Sequence, residues 1–410
     1  MVSAEKPVVS LAAGQQASTG RRLQSVDALR GGVMIIMALD HVRDFISSAA
    51  MSFSPTDLSR TTTTLFFTRW ITHFCAPVFA FTAGIGAFLW MGRQRTKLQL
   101  SRFLVTRGLW LIVLELTVLR WILFLQFGWT GQLVILSVIW MLGLCMIVLA
   151  ALIHLPTRWL ATLAVAMIAV HNLFDSVEPS RFGRVAWLWD ILHVQSIFPF
   201  LGANILVAYP LVPWVFVLAA GYCFAPVLRW EPARRQSFLV RTGVGLSVAF
   251  VALRAWNVYG DPAPWSAQQS ALFTVLSFLN CTKYPPSLQF LLMTLGLAMT
   301  ILAWLERMRF SNTNPLIVFG RVPLFYFVVH LAVAHALAIL LGLLRYGWAG
   351  FLLLPAPSMG SPAQLFPPNY GYSLPVVYAV YIVVVVMLYP VCRWYADLKQ
   401  RRHDWWLSYL

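Results

Sequence analysis

Apolar residues in this 410-residue chain fall in long runs separated by short polar stretches. A run of about 20 apolar residues suffices for a helix to cross a bilayer. Ten spans are predicted, over 26–48, 66–91, 103–127, 133–155, 159–174, 202–228, 238–259, 286–305, 315–344 and 374–395. Pro210 and Pro213 predict kinks in the sixth, and Pro323 a kink or break in the ninth. The apolar piece 271–279 is too short to span and reads as re-entrant or interfacial. The implied fold class is all-α, a polytopic transmembrane bundle of about ten helices within residues 21–397. A disordered tail at 1–20 and a basic, aromatic tail at 398–410 flank it. No internal repeat is visible.

Composition agrees with this pattern. The chain is 60% hydrophobic and 11% charged, where a soluble domain carries about 25% charged residues. Its net charge of +16 does not point to nucleic acid. The cations cluster in short loops, such as Arg93, Arg95, Lys97, Arg102 and Arg107, as the positive-inside rule describes. Ten spans with these loops inside place both termini in the cytoplasm. Cys75, Cys145, Cys223, Cys281 and Cys392 show no CxxC spacing and read as buried small hydrophobes.

Against that background the stretch Asp40-His41-Val42-Arg43-Asp44 stands out at the end of the first span. A charge within a bilayer costs roughly 3 kcal/mol even on the mildest scale, so such groups mark function or a helix end at the water interface. Asp40 and Asp44 share a helix face, where like charges repel unless protonated or paired with cations. Arg30 and His41 align three turns apart, roughly 16 Å along the axis. His73 in the second span can reach similar depth, and an imidazole beside a carboxylate suits either general base catalysis or proton-coupled transport. No third ligand accompanies the two histidines, so no metal is expected. Glu115 and Arg120 lie inside the third span, with an ion pair to another helix expected for Glu115. Arg254 and Asn257 stand near the outer end of the seventh, Lys283-Tyr284 at the outer mouth of the eighth, and Asp190 and His193 in an outer, interfacial segment. In the ninth span Asn314-Pro315 opens a helix near Arg321, a setting that suits anionic groups such as phosphates. His335 falls near the Arg321 face, and Tyr326 and His330 share another. Motifs of soluble enzymes, such as GxGxxG, GxSxG or HExxH, are absent.

Three stretches carry a resemblance to a known family, together with the opening Arg22-Leu23-Gln24-Ser25-Val26-Asp27-Ala28-Leu29-Arg30-Gly31. They are FxxRWxxxFxAPVFAFTAG at 66–84, TKYPPSLQFLLMTLG at 282–296 and NPLIVFGRVPLFYFVVH at 314–330. From about residue 21 to its end the chain resembles the bacterial branch of the heparan-alpha-glucosaminide N-acetyltransferase catalytic-domain family. The resemblance implies a membrane enzyme that takes acetyl from cytosolic acetyl-CoA, as co-substrate, and gives it to a small-molecule or glycan acceptor on the far side. In that family an Asn at the end of helix one, a His in the following outer loop and an Asp in helix two are tied to catalysis. Asp40 matches the Asn position and His73 the Asp position, and no His lies between His41 and His73. The resemblance therefore implies His41 or His73 as base, with Asp40 or Asp44 orienting it. It further implies Arg30, Asp27, Arg321 and Asn314 around the coenzyme phosphates, and Lys283, Tyr284, His330 and Arg254 around the acceptor. The setting implied is the bacterial inner membrane, with lipid as partner and a homo-oligomer left open. The alternative is a proton-coupled transporter or flippase using the same His, Asp and Arg groups.

Overall fold

The computed structural model describes residues 10–49, 52–92, 95–125, 128–129, 131–348, 369–402, 404 and 407, with side chains from residue 24 onward. Helix α1 (Ser10–Ile46) precedes α2 (Thr63–Ile71), which passes through a 3₁₀ turn (Thr72–Phe74) into α3 (Cys75–Met91). Pro77, in the first turn of α3, lacks the N–H that an α-helix would bond to the carbonyl of His73, so the tighter winding appears just before it. Helix α4 (Lys97–Leu114) runs through a π-helical turn (Glu115–Leu119) into α5 (Arg120–Phe124). Strand β1 (Leu133–Leu136), α6 (Val138–Leu152), α7 (Thr157–Val170) and α8 (Ala186–Leu192) follow. Next come β2 (Ile197–Phe200), β3 (Ala203–Val207), α9 (Trp214–Phe224), α10 (Pro232–Trp256) and α11 (Ala271–Leu279). The last helices are α12 (Leu288–Leu305), α13 (Pro315–Arg321), α14 (Pro323–Tyr346) and α15 (Leu374–Arg401).

The chain is predominantly helical, but the count of ten spans is not what its geometry gives. Among the described residues six helical segments are long and apolar enough to cross a membrane: Thr63–Met91, Thr157–Phe174, Pro232–Trp256, Leu288–Leu305, Pro323–Tyr346 and Leu374–Arg401. Helix α6 and the segment Trp214–Arg229 are apolar but shorter. Two expected spans lose their first turns to a small sheet. Leu133–Leu136 pairs in parallel with Ala203–Val207, and Ile197–Phe200 pairs antiparallel to it. Pro210 and Pro213 lie between β3 and α9, so they end the strand region instead of kinking a helix. Pro323 does separate α13 from α14, as its missing N–H requires. The piece at 271–279 is α11.

Helix α1 is the hub, packed on α3, α12, α13, α14 and α15. Its approach to α13 is limited by two glycines facing opposite backbones. A Cβ on Gly31 would stand 1.8 Å from the Leu316 carbonyl oxygen, and one on Gly320 1.8 Å from that of Asp27. Only glycine permits this spacing, and it brings Asp27, Arg30 and Arg321 together at one end of the bundle.

Candidate active site

The carboxylate of Asp40 is fully engaged. Arg69 on α2 donates from one guanidinium nitrogen at 2.7 Å to each Asp40 oxygen, and Thr72 donates its hydroxyl at 2.8 Å. Arg43, wholly buried, pairs with Asp40 at 2.7 Å and Asp44 at 2.6 Å. The repulsion expected between the two aspartates is thus relieved by two arginines, one of them on another helix. Such a set is held by mutual dependence, because removing one partner of a buried ion pair costs about 3–5 kcal/mol. Both aspartates grip arginine, and neither hydrogen-bonds to His41, so the expected orienting role of Asp40 or Asp44 is not what the geometry provides.

His41 is left available. Among the described residues it makes no hydrogen bond; its ring centre lies 5.1 Å from His330 and 6.1 Å from Phe327. His330 is fully buried, its Nδ1 faces the Tyr326 carbonyl at 3.0 Å, and its Nε2 has no partner. Since a carbonyl only accepts, His330 carries its proton on Nδ1 and offers a bare Nε2.

Two cavities lie to either side of Phe327, and His41 lines one of them. The one on the side that the expected orientation makes outer, about 440 Å³, is lined by His41, Asp40, Arg69, Glu115, Lys283 and Tyr284 among others. Its far wall includes Ile135 of β1 and Leu206 of β3, which is what the small sheet contributes. The inner one, about 240 Å³, is mostly apolar and carries Arg30, Trp90 and Arg107. Phe79, Val138 and Phe327 line both and form the wall, or waist, that the two share. A third space of about 470 Å³ lies at the α1–α13–α15 end, with Asp27, Asn312, Arg321 and Lys399 in its walls.

The remaining predicted residues divide between these spaces and the scaffold. Asp27 and Arg30 are ion-paired, and Arg321 donates to Asn312 at 2.8 Å. Asn314 spends its side-chain oxygen on the Leu316 N–H as the N-cap of α13. Arg254 is buried and donates to the carbonyls of Phe278, Ala263, Ser277 and Asn280 and to Gln289, tying the outer loops together outside the cavities. His73 packs its ring 5.4 Å from that of Phe290 and lines neither cavity. His335 stacks on Phe45 and bonds to the Ile122 carbonyl, and the break at Val322 separates it from the Arg321 face. His193 meets Asp175 at 3.0 Å in the outer segment, while Asp190 keeps one buried oxygen without a partner.

One member of the site escapes sequence reasoning, and the ion pair expected for another is not formed among the described residues. Arg69 was visible only as a letter in a motif, although a lone cation in an apolar helix requires a carboxylate partner. Glu115 finds no cation among the described residues. It accepts from Ser137 at 2.9 Å and faces the first backbone N–H groups of α6, and a helix N-terminus stabilises an anion as a cation does. Among the described residues no group of three or more His, Cys, Asp or Glu is placed to hold a metal ion.

Fold and site together define a polytopic helical membrane protein with a buried charged centre lining one of two cavities. Residues 22–261 match the family described as heparan-alpha-glucosaminide N-acetyltransferase, catalytic, and the chain belongs to that family. The match includes Asp40, His41, Arg69 and Glu115, whereas Lys283 and the α13–α14 region lie beyond it. No curated protein matches the chain.

Proposed function

We propose that this member of the transmembrane acetyltransferase family takes acetyl from acetyl-CoA on the cytoplasmic side and transfers it to a hydroxyl or amine in the outer cavity. The observation that carries this reading is the pair of cavities that share Phe79, Val138 and Phe327 as a common wall, with His41 in the outer cavity beside Phe327. The cationic loops on the α1–α13–α15 side favour a cytoplasmic face there, in a bacterial inner membrane with both termini inside.

The side chains fit the co-substrate. Arg30, Arg107, Arg321 and Lys399 supply cations for phosphates around the inner cavity and the adjoining space, and the Nε of Arg30 is buried with no partner of its own. The apolar walls of the inner cavity suit a thin, uncharged arm. When bound, acetyl-CoA supplies an activated thioester. His41 takes the proton from the attacking hydroxyl or amine as the new bond to the acetyl carbon forms, and returns it to the departing thiol. Phe327 and His330 fix the imidazole plane, and the Asp40–Arg69–Arg43 set locks α1 to α2 beneath it.

The experiment is vectorial transfer in sealed proteoliposomes, with labelled acetyl-CoA outside and glucosamine or glucose inside. Labelled product in the lumen supports the proposal. Proton-linked solute movement with no consumption of acetyl-CoA overturns it in favour of transport.

A further inference from the structure

Three carboxylates, Asp40, Asp44 and Glu115, and two cations, Arg69 and Lys283, line the outer cavity, and the pairing of the carboxylates leaves Lys283 out. Lys283 lies in the short loop between α11 and α12 and is 7% exposed, yet it lines the cavity wall. Among the described residues it forms no ion pair, and its ammonium stands 5.2 Å from the Tyr284 ring centre. Asp40 is near enough to feel it, but the oxygens of Asp40 are taken by Arg69, Arg43 and Thr72. Asp44 is held by Arg43, and Glu115 is turned into Ser137 and the start of α6. Arg43 also has two buried nitrogens without partners. The Tyr284 phenol reports the same field: burial pushes it up, but Lys283 and Arg69 outweigh burial and hold it below its ordinary range. Its hydroxyl lies 3.4 Å from that of Tyr209, so two phenols face the same space.

A buried ammonium with no counter-ion is costly, and an unpaired one at a cavity wall is satisfied when a ligand brings the charge. We infer that Lys283 is a specificity residue for an anionic acceptor, one carrying a carboxylate or phosphate group beside the hydroxyl or amine that receives acetyl. Tyr284 and Tyr209 donate to the same anion. The neutral sugar alone leaves Lys283 unpaired and binds less well. This rests on the acetyltransferase reading only in calling the ligand an acceptor; the binding preference itself does not depend on turnover.

The test compares ligand pairs that differ by one anionic group: glucuronate against glucose, and glucosamine 6-phosphate against glucosamine. Half-saturating concentrations are read from the thermal stabilisation of purified full-length protein, without acetyl-CoA. A charge-assisted contact of this kind gives the charged member of at least one pair an advantage of about tenfold or more. Whichever pair shows it tells carboxylate from phosphate. Lys283→Gln removes the advantage and leaves the neutral member unchanged, while Lys283→Arg retains most of it. Equal binding of charged and neutral members by the wild type, or no stabilisation by any of the four, overturns the inference. So does a Lys283→Gln protein that weakens both members equally. Anionic preference without acetyl transfer in the proteoliposome assay, repeated with the preferred charged member inside, sinks the transferase reading and leaves this site standing.

Discussion

Arg69 reaches from α2 to place one guanidinium nitrogen 2.7 Å from both oxygens of Asp40 on α1. This contact joins α1 to α2 one residue before His41. Removing the cation leaves Asp40 with Arg43 and Thr72 alone.

Arg69→Leu is therefore expected to destabilise the protein by about 3–5 kcal/mol. Asp40→Asn together with Arg69→Gln loses less than the sum of the two single changes, because each single change strands a charge and the pair does not. Thermal unfolding in detergent measures both, and strict additivity contradicts the coupling.

At the inner end, Arg321→Gln and Arg30→Gln are expected to raise the KM for acetyl-CoA while changing kcat by less than about threefold. Each removes a cation from the phosphate region and leaves the waist intact, the pattern of lost uniform binding. An unchanged KM with a lowered kcat contradicts the placement of the coenzyme phosphates.

Gly31→Ala probes the α1–α13 contact. Its Cβ would stand 1.8 Å from a backbone oxygen, which no side-chain movement relieves. The helices must separate, and the expected loss is about 1–3 kcal/mol or more, as for overpacking in a filled core. Gly86→Ala, where a Cβ meets nothing within 4 Å, serves as the control and is expected to be near neutral. Equal melting temperatures for the two variants contradict the close approach.

Much of this layout is legible in the apolar pattern. The long runs become α3, α10, α12, α14 and α15, and the break before Pro323 follows from chemistry every proline carries. The expensive Asp40–Asp44 cluster also lies at the heart of the site. What the pattern hides is subtler. Leu133–Leu136 is a short apolar run, and periodicity does not tell a buried strand from a helix over four residues. Two consecutive antiparallel helices lead the pattern to set His73 at the depth of His41. At the 3₁₀ turn Thr72–Phe74 the His73 ring packs on Phe290, still within reach of the charges of Arg69, Lys283 and Asp40. No local spacing announces Arg69, whose partner Asp40 is 29 positions away.

The choice between the two histidines is the sharpest test. Acetyl transfer by His41→Gln and His73→Gln proteins, each matched to wild type for folding by its melting curve, separates them directly. His41→Gln is expected to lose roughly 10²–10⁴-fold in kcat, the usual contribution of a general base, while His73→Gln stays within about threefold of wild type. A His41→Gln protein that turns over at the wild-type rate, or a loss confined to His73→Gln, contradicts the placement of the base at the waist of the two cavities.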